Sequence, residues 1–199
     1  VKVEWPQNTG SPSLALSRDL TSLRVNPVIA WKILPTLSIA AGPMFTWSEI
    51  ELTRGATPFP NNDMVRLTGD AFAAGFNVGL LWQAHPKLNI GASYRSALRM
   101  DYSGETDISF VVPPPGFPPK IKMDSSAELP FPQSAVAGVS FRPTPEWNFE
   151  FDAEWTDWSK LDSVDIRQAM PEEIKLKWQS SYYYELGATR YFGKGWHVS

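Results

Sequence analysis

Cysteine is absent from the 199 residues, so the chain can build neither a disulfide framework nor a thiolate metal centre, a composition that fits the cell envelope. Histidine is nearly absent too. His85 and His197 sit in or beside tight turns without a partner at ligand spacing, and a zinc site takes three or four ligands, so no metal is expected. No apolar run approaches the ~18 residues that a membrane-spanning helix requires. Neither charge sign dominates: a net charge of −3 gives no electrostatic basis for a nucleic-acid partner. A Gly-rich phosphate loop and a nucleophile elbow are both missing, and no cofactor is expected. No signal peptide begins at Val1, so either a leader has been removed or the chain is a piece of something longer.

What is abundant points the other way. The chain is 43% apolar and 13% aromatic, with 18 Pro and 13 Gly scattered throughout, which disfavours helix and suits strands and membrane interfaces. From Ala71 to Gly104 two alternating arms flank a short turn. In the second arm Leu88, Ile90, Ala92, Tyr94, Ser96, Leu98, Met100 and Tyr102 oppose Asn89, Gly91, Ser93, Arg95, Ala97, Arg99 and Asp101. Because side chains alternate across a pleated sheet, this period of two is the strand signature. It places the even set on a lipid face and the odd set on a wet one.

The same pattern recurs. Val25, Pro27, Ile29, Trp31 and Ile33 share a face, with a kink or bulge expected at Pro27. Leu37 to Trp47, Ala135 to Phe141, Trp147 to Trp155 and Tyr182 to Ala188 alternate likewise, whereas Gln168 to Lys175 is expected to form a short helical turn. Val1 to Trp5 reads as the tail of a strand, followed by loop from Pro6 to Ser13. Tight turns fall at Pro35, Pro86, Pro145 and Gly195, each with aromatic and apolar residues beside it. Between them lie longer connections at Leu52 to Asp70 and Glu105 to Ala127. Short and long connections therefore alternate, as in outer-membrane barrels with brief periplasmic turns and long external loops. Aromatic residues near the turns and at the far ends (Trp47, Tyr102, Trp155, Trp158) form two interfacial girdles in this reading. A soluble β-sandwich is the alternative.

The segments GFNVGLLWQ…LNIGASYRSALRMDYSG, LPFPQSAVAGVSFRPTPEWNFEFDAEWTDWS and YYYELGATRYFGKGW, together with the proline turn before a Trp, resemble the long-chain fatty acid and aromatic hydrocarbon transporters of the Gram-negative outer membrane, the FadL/TodX type. The resemblance implies an all-β, antiparallel transmembrane barrel of fourteen strands plugged by an amino-terminal hatch. Residues 1–199 then form a single partial barrel domain of seven complete strands and two stubs, with the hatch and remaining strands outside this chain. An open sheet leaves unpaired edges in lipid, which also argues for a fragment.

Arg95 and Arg99 fall on the wet parity, as do Glu150, Asp152 and Glu154, and the five are expected to form a charged lumen network across small residues such as Gly138 and Ser140. Paired carboxylates also suit acid/base catalysis, but a charge-lined interior is the stronger reading, and no enzyme is expected. Arg95 or Arg99 is alternatively expected to hold a substrate carboxylate through a bidentate contact. The resemblance further implies an external greasy groove for a hydrophobic substrate, with Phe59, Met64, Leu67, Ile108, Phe110, Val111, Val112 and Phe117 as its candidate lining. The expected function is movement of hydrophobic molecules, long-chain fatty acids foremost, across the outer membrane by binding and diffusion. The partners are that ligand and outer-membrane lipid, with the protein a monomer. A structural or surface-receptor barrel without transported ligand is the rival.

Overall fold

The computed structural model describes residues 2–4, 17–55, 63–161, 163–167, 172–175, 177–193 and 195–199. The strands are β1 (Lys2–Glu4), β2 (Ser17–Val25), β3 (Ile29–Leu34), β4 (Leu37–Gly55), β5 (Met64–His85), β6 (Leu88–Arg95), β7 (Leu98–Ser109), β8 (Lys120–Phe131), β9 (Ser134–Thr144) and β10 (Trp147–Thr156). A 3-10 turn at Trp158–Lys160 precedes β11 (Ser163–Arg167), β12 (Glu172–Lys175), β13 (Ser181–Gly193) and β14 (Trp196–Val198). All belong to one antiparallel sheet, which is open.

Several segments are halves of one long strand. β2 and β3 both pair with β4 and are separated at Asn26, Pro27 and Val28, because proline has no N–H to give to a ladder. β6 and β7 both pair with β5, interrupted at Ser96 and Ala97, while β9 continues β8 past Pro132 and Gln133. β10 with β11, and β12 with β13, are related in the same way. Joined so, the described residues form seven through-strands with short pieces at either end, the number expected for half of a fourteen-stranded barrel.

The proline turns are a repeated device. Each occupies two residues, and the carbonyl of its second residue accepts a bond from the adjacent hairpin. Gln83 N–H donates to Thr36 O (2.7 Å), Arg142 N–H to Lys87 O (2.8 Å) and Tyr191 N–H to Glu146 O (2.7 Å). Neighbouring hairpins are thereby locked in register at the turn end. Gly195 takes the left-handed conformation (φ 83°) in the last turn, where a side chain would be strained.

Near the turns the outward side is apolar from edge to edge. Trp31, Ile39, Leu80, Ala92, Ala137, Ala153 and Tyr184 stand opposite one another in one row across the sheet. Ile29 is 81% exposed and Leu186 83%, so nothing among the described residues covers this face. Beyond Trp47 and Phe72 the polarity reverses. The inner side is already apolar at the level of Phe45 and Phe72, where Met44, Ala71, Ala73, Leu98, Met100 and Tyr102 form a buried cluster edged by Leu20, Ile50, Leu129 and Phe131, and it stays apolar farther out at Leu67. Outward lie Glu49, Glu51, Thr68, Asp70, Glu105 and Asp124, which line up in register across β4, β5, β7 and β8.

Three expectations change. The connections are shorter than predicted: strand persists to Gly55 and resumes at Met64, and β7 and β8 reduce the second to residues 110–119. Residues 172–175 are strand and not a helical turn, because they pair with β11. Residues 168–171 and the loop at 6–13 lie outside the described set. Tyr102 belongs to no outer girdle; it is buried inside, donating to Ser48 Oγ at 2.9 Å.

Candidate functional site

On the inner side near the turns, β10 carries Glu150, Asp152 and Glu154 opposite Ser140, Gly138 and Val136 of β9, which in turn face Asn89, Gly91 and Ser93 of β6. Gly138 makes room for Asp152. A Cβ added at Gly138 would lie 2.0 Å from Asp152 Oδ1, so any side chain there displaces the carboxylate. The carboxylates take neighbouring donors: Asn148 Nδ2 gives to Glu150 Oε1 at 2.8 Å and Thr156 Oγ1 to Glu154 Oε1 at 3.3 Å. A hollow of about 390 Å³ lies here, its lining combining Asn89, Ser93, Glu150 and Asp152 with Val136 and Gly138.

Arg95 lies on this same side, directly opposite Asn77 of β5 and Ser134 of β9. Among the described residues it makes no ion pair with Glu150, Asp152 or Glu154. Arg99 does not join it. Across the break at Ser96 and Ala97 the strand changes phase: Leu98, Met100 and Tyr102 turn inward, and Arg99 turns outward to pair with Glu128 and, at 3.5 Å, with Asp101. The Glu128 carboxylate, through that bond, raises the Arg99 guanidinium above its ordinary value. Arg99 is therefore removed from the expected lumen network, because a slip at a bulge moves every following side chain to the other face.

The inner arginine that parity reading overlooked is Arg24. Its neighbours Leu23 and Val25 are exposed outward, and its Nε donates to Thr46 Oγ1 at 3.1 Å on the inner side. The bulge after it is specific. Asn77 Nδ2 donates to Asn26 Oδ1 at 2.6 Å, bridging over β4, and Gly42 permits this because a Cβ there would lie 2.1 Å from Pro27 O. The outward alternation from Val25 to Ile33 already implied the opposite parity for Arg24.

At the level of the breaks, polar side chains replace the interrupted ladder. Tyr94 Oη donates to Gln133 Oε1 (2.6 Å), Gln133 Nε2 to Asp157 Oδ2 (3.0 Å) and Ser180 Oγ to Asp157 Oδ1 (3.1 Å), so one chain of bonds joins four strands. Asp157 belongs to the Trp-Thr-Asp-Trp-Ser run and sits in the connection beyond the end of β10. Bonds from Ser159 and then Gln133 hold its carboxyl below the usual carboxylate range.

The eight groove candidates fall into separate places. Leu67 is buried on the inner wall, on the same side as Thr106, and Ile108 pairs with Val65 and Ile121 on that wall. Met64 stands opposite Ser109 on the other face of β5. Val111, Val112 and Phe117 are 65%, 79% and 57% exposed at the tip of the β7–β8 hairpin, with Phe110 N–H bonded to Pro119 O at its base. Val111 N–H also donates to Asp63 Oδ1 at 2.7 Å, tying the tip to the start of β5. Phe59 lies outside the described residues.

Comparison with known proteins agrees with this architecture. The sequence is 23% identical over 157 residues to the long-chain fatty acid transport protein of Escherichia coli O6:H1 (strain CFT073), covering 73% of this chain and 35% of that relative. It is 20% identical over 146 residues to the protein of the same description from Escherichia coli K12, covering 68% and 33%. The chain thus spans about a third of the length of these curated relatives. The crystal structure of a Pseudomonas aeruginosa FadL homologue superposes with a TM-score of 0.85 at 16% identity, covering 99% of this chain and 52% of that one. The Ralstonia pickettii toluene transporter TbuX gives 0.74 at 17% identity, covering 91% and 54%. Residues 1–198 match the profile of a single family, and the chain belongs to it: the outer membrane protein transport proteins (OMPP1/FadL/TodX), barrels of the outer membrane.

Proposed function

We propose that this chain forms about half the wall of a monomeric barrel that moves hydrophobic molecules, long-chain fatty acids foremost, across the outer membrane by binding and diffusion, without chemical conversion. The observation that carries the reading is the reversal of polarity along the strands. A wall that is greasy outward and wet inward at one level, then greasy inward at the next, places an apolar surface in the path of an entering ligand. The exposed Val111, Val112 and Phe117 at the hairpin tip extend that apolar character to the mouth. On this reading the short turns face the periplasm, and the hatch and remaining strands are supplied by sequence outside these residues. The transporter descriptions of the relatives and solved neighbours support the hydrophobic class of ligand.

Uptake of labelled oleate by cells producing the full-length protein, in a host lacking its own transporter, tests the proposal. Uptake above the empty host is expected, and Val111→Asp with Phe117→Asp is expected to slow it several-fold while the barrel still assembles. No uptake by a correctly assembled wild type overturns it.

A further inference from the structure

We propose that a slot in the outer, lipid-facing surface of the wall, running over Ala135 and Ala137 of β9, seats an extended acyl chain of a phosphorylated outer-leaflet lipid whose phosphate is taken by Lys160 and Lys177. The inference goes beyond the transport reading and uses only the orientation of the barrel: with the short turns toward the periplasm, the far ends of β9 and β10 lie at the outer leaflet.

The slot is made by residue size. At one level of the outward face Ala92, Ala137 and Ala153 stand side by side on β6, β9 and β10, and at the next level away from the turns Ala135 lies between Tyr94 and Trp155. On β5 the same face carries the large exposed side chains Phe72, Phe76, Val78 and Leu80. A hollow of about 780 Å³ results, bounded by Val78 and Leu80 on one side and by Tyr182 and Tyr184 on the other. One level nearer the turns Ile90, Val139 and Phe151 restore large residues and end it. Its banks are fixed. The Tyr94 ring lies 6.0 Å from that of Phe76 and its hydroxyl donates to Gln133, while Tyr184 stacks on Phe151 with centroids 6.3 Å apart. A chain lying in the slot touches the wall on three sides, and so gains dispersion contacts that a chain passing over a flat wall lacks.

The outer end of the slot carries charge. Just beyond Trp155, Asp157 accepts from Ser180, which brings residues 158–160 beside residues 177–180, and the Trp158 and Trp178 rings meet edge to face at 5.3 Å. Lys160 and Lys177 belong to these two segments. Both are exposed, and neither has an ion-pair partner among the described residues. Asp157 does not serve as one, since Gln133, Ser159 and Ser180 already donate to its carboxylate. Two cations beside tryptophans at the water boundary, above an apolar slot, complement a lipid with phosphate at one end and hydrocarbon at the other. A neutral lipid satisfies the slot alone and leaves both lysines unpaired.

The test uses the full-length protein in detergent micelles, with lipid A and its dephosphorylated form as probes. Retention is read by native mass spectrometry and assembly by heat-modifiable mobility. Wild type is expected to hold lipid A about 10-fold more tightly than the dephosphorylated form, the scale of charge-assisted contacts, and K160Q/K177Q to hold the two forms alike. Filling the slot with Ala135→Phe and Ala137→Phe is expected to lower retention of both forms several-fold, whereas Ile29→Phe, elsewhere on the lipid face, leaves it unchanged. Should the doubly filled variant fail to assemble, Ala137→Leu carries the same comparison. Equal retention of the two forms by wild type, or retention indifferent to filling the slot, overturns the site. Oleate uptake by the lysine variant is expected to match wild type. A wild type that retains lipid A yet takes up no oleate overturns the transport reading and leaves the lipid site standing.

Discussion

The half of the sheet nearest the proline turns and the half beyond Trp47 are built from the same strands and solve opposite problems. Near the turns, Ile29, Trp31, Val78 and Leu186 face outward and uncovered, and the inner side carries Glu150, Asp152 and Asn89. Farther out, Ile50 and Leu67 line the inside, continuing the buried cluster of Met44, Leu98 and Met100, while Glu49, Asp70 and Glu105 stand outside. One half is arranged for hydrocarbon around it and the other for water. β4 and β5 make the exchange by residue choice, passing from Trp47 to Glu49 and from Phe72 to Asp70 without losing register. β6–β7 and β8–β9 make it by geometry, at the adjacent breaks Ser96–Ala97 and Pro132–Gln133. A continuous apolar alternation along one strand therefore need not mean one continuous environment.

Substitutions that should distinguish the halves fall in a definite order of effect. Met100→Asp places a charge in a fully buried inner position and is expected to cost several kcal/mol, about 4 or more, or to prevent assembly, read from urea unfolding in micelles or from heat-modifiable mobility. Val78→Arg, on the outward side of the other half, is expected to cost about 2–4 kcal/mol in a bilayer, as charges on a barrel's lipid face do. Tyr102→Phe removes the bond to Ser48 and is expected to cost about 1 kcal/mol in the same unfolding measurement. Arg99→Ala, on the wet outer surface, is expected to leave the unfolding midpoint unchanged. If Met100→Asp proved milder than Arg99→Ala, the two halves would not differ as described.

Much of this was legible in the residues. The period of two, the recurring proline turns and the long-short alternation of connections led to the antiparallel sheet and to the number of through-strands. Which residues share a face was legible wherever the ladder runs unbroken, as for Glu150, Asp152 and Arg95. It failed for Arg99 because periodicity reports only that neighbours face opposite ways, and two residues spent in a bend alter the phase without altering the pattern. Glu105 to Ala127 read as loop because Pro113 to Pro115 dominate it, although Glu105, Asp107 and Ser109 already alternate with Thr106 and Ile108. Arg24 escaped notice since a single charge beside Pro27 resembles a loop residue until its opposite face is traced. The Asn26 to Asn77 bridge joins distant strands and leaves no local mark.

The phase change at Ser96–Ala97 is directly measurable with cysteine labels, because these 199 residues carry no cysteine of their own. Single-cysteine variants at Asn89, Ile90, Arg99 and Met100 of the full-length protein, each carrying a small fluorophore, would be reconstituted with lipids bearing acyl-chain quenchers and exposed separately to an aqueous quencher. The prediction is lipid quenching at 90 and not at 89, aqueous quenching at 99, and protection from both at 100. Lipid quenching at 100 with 99 reached only through the lumen would show an unbroken alternation and contradict the account.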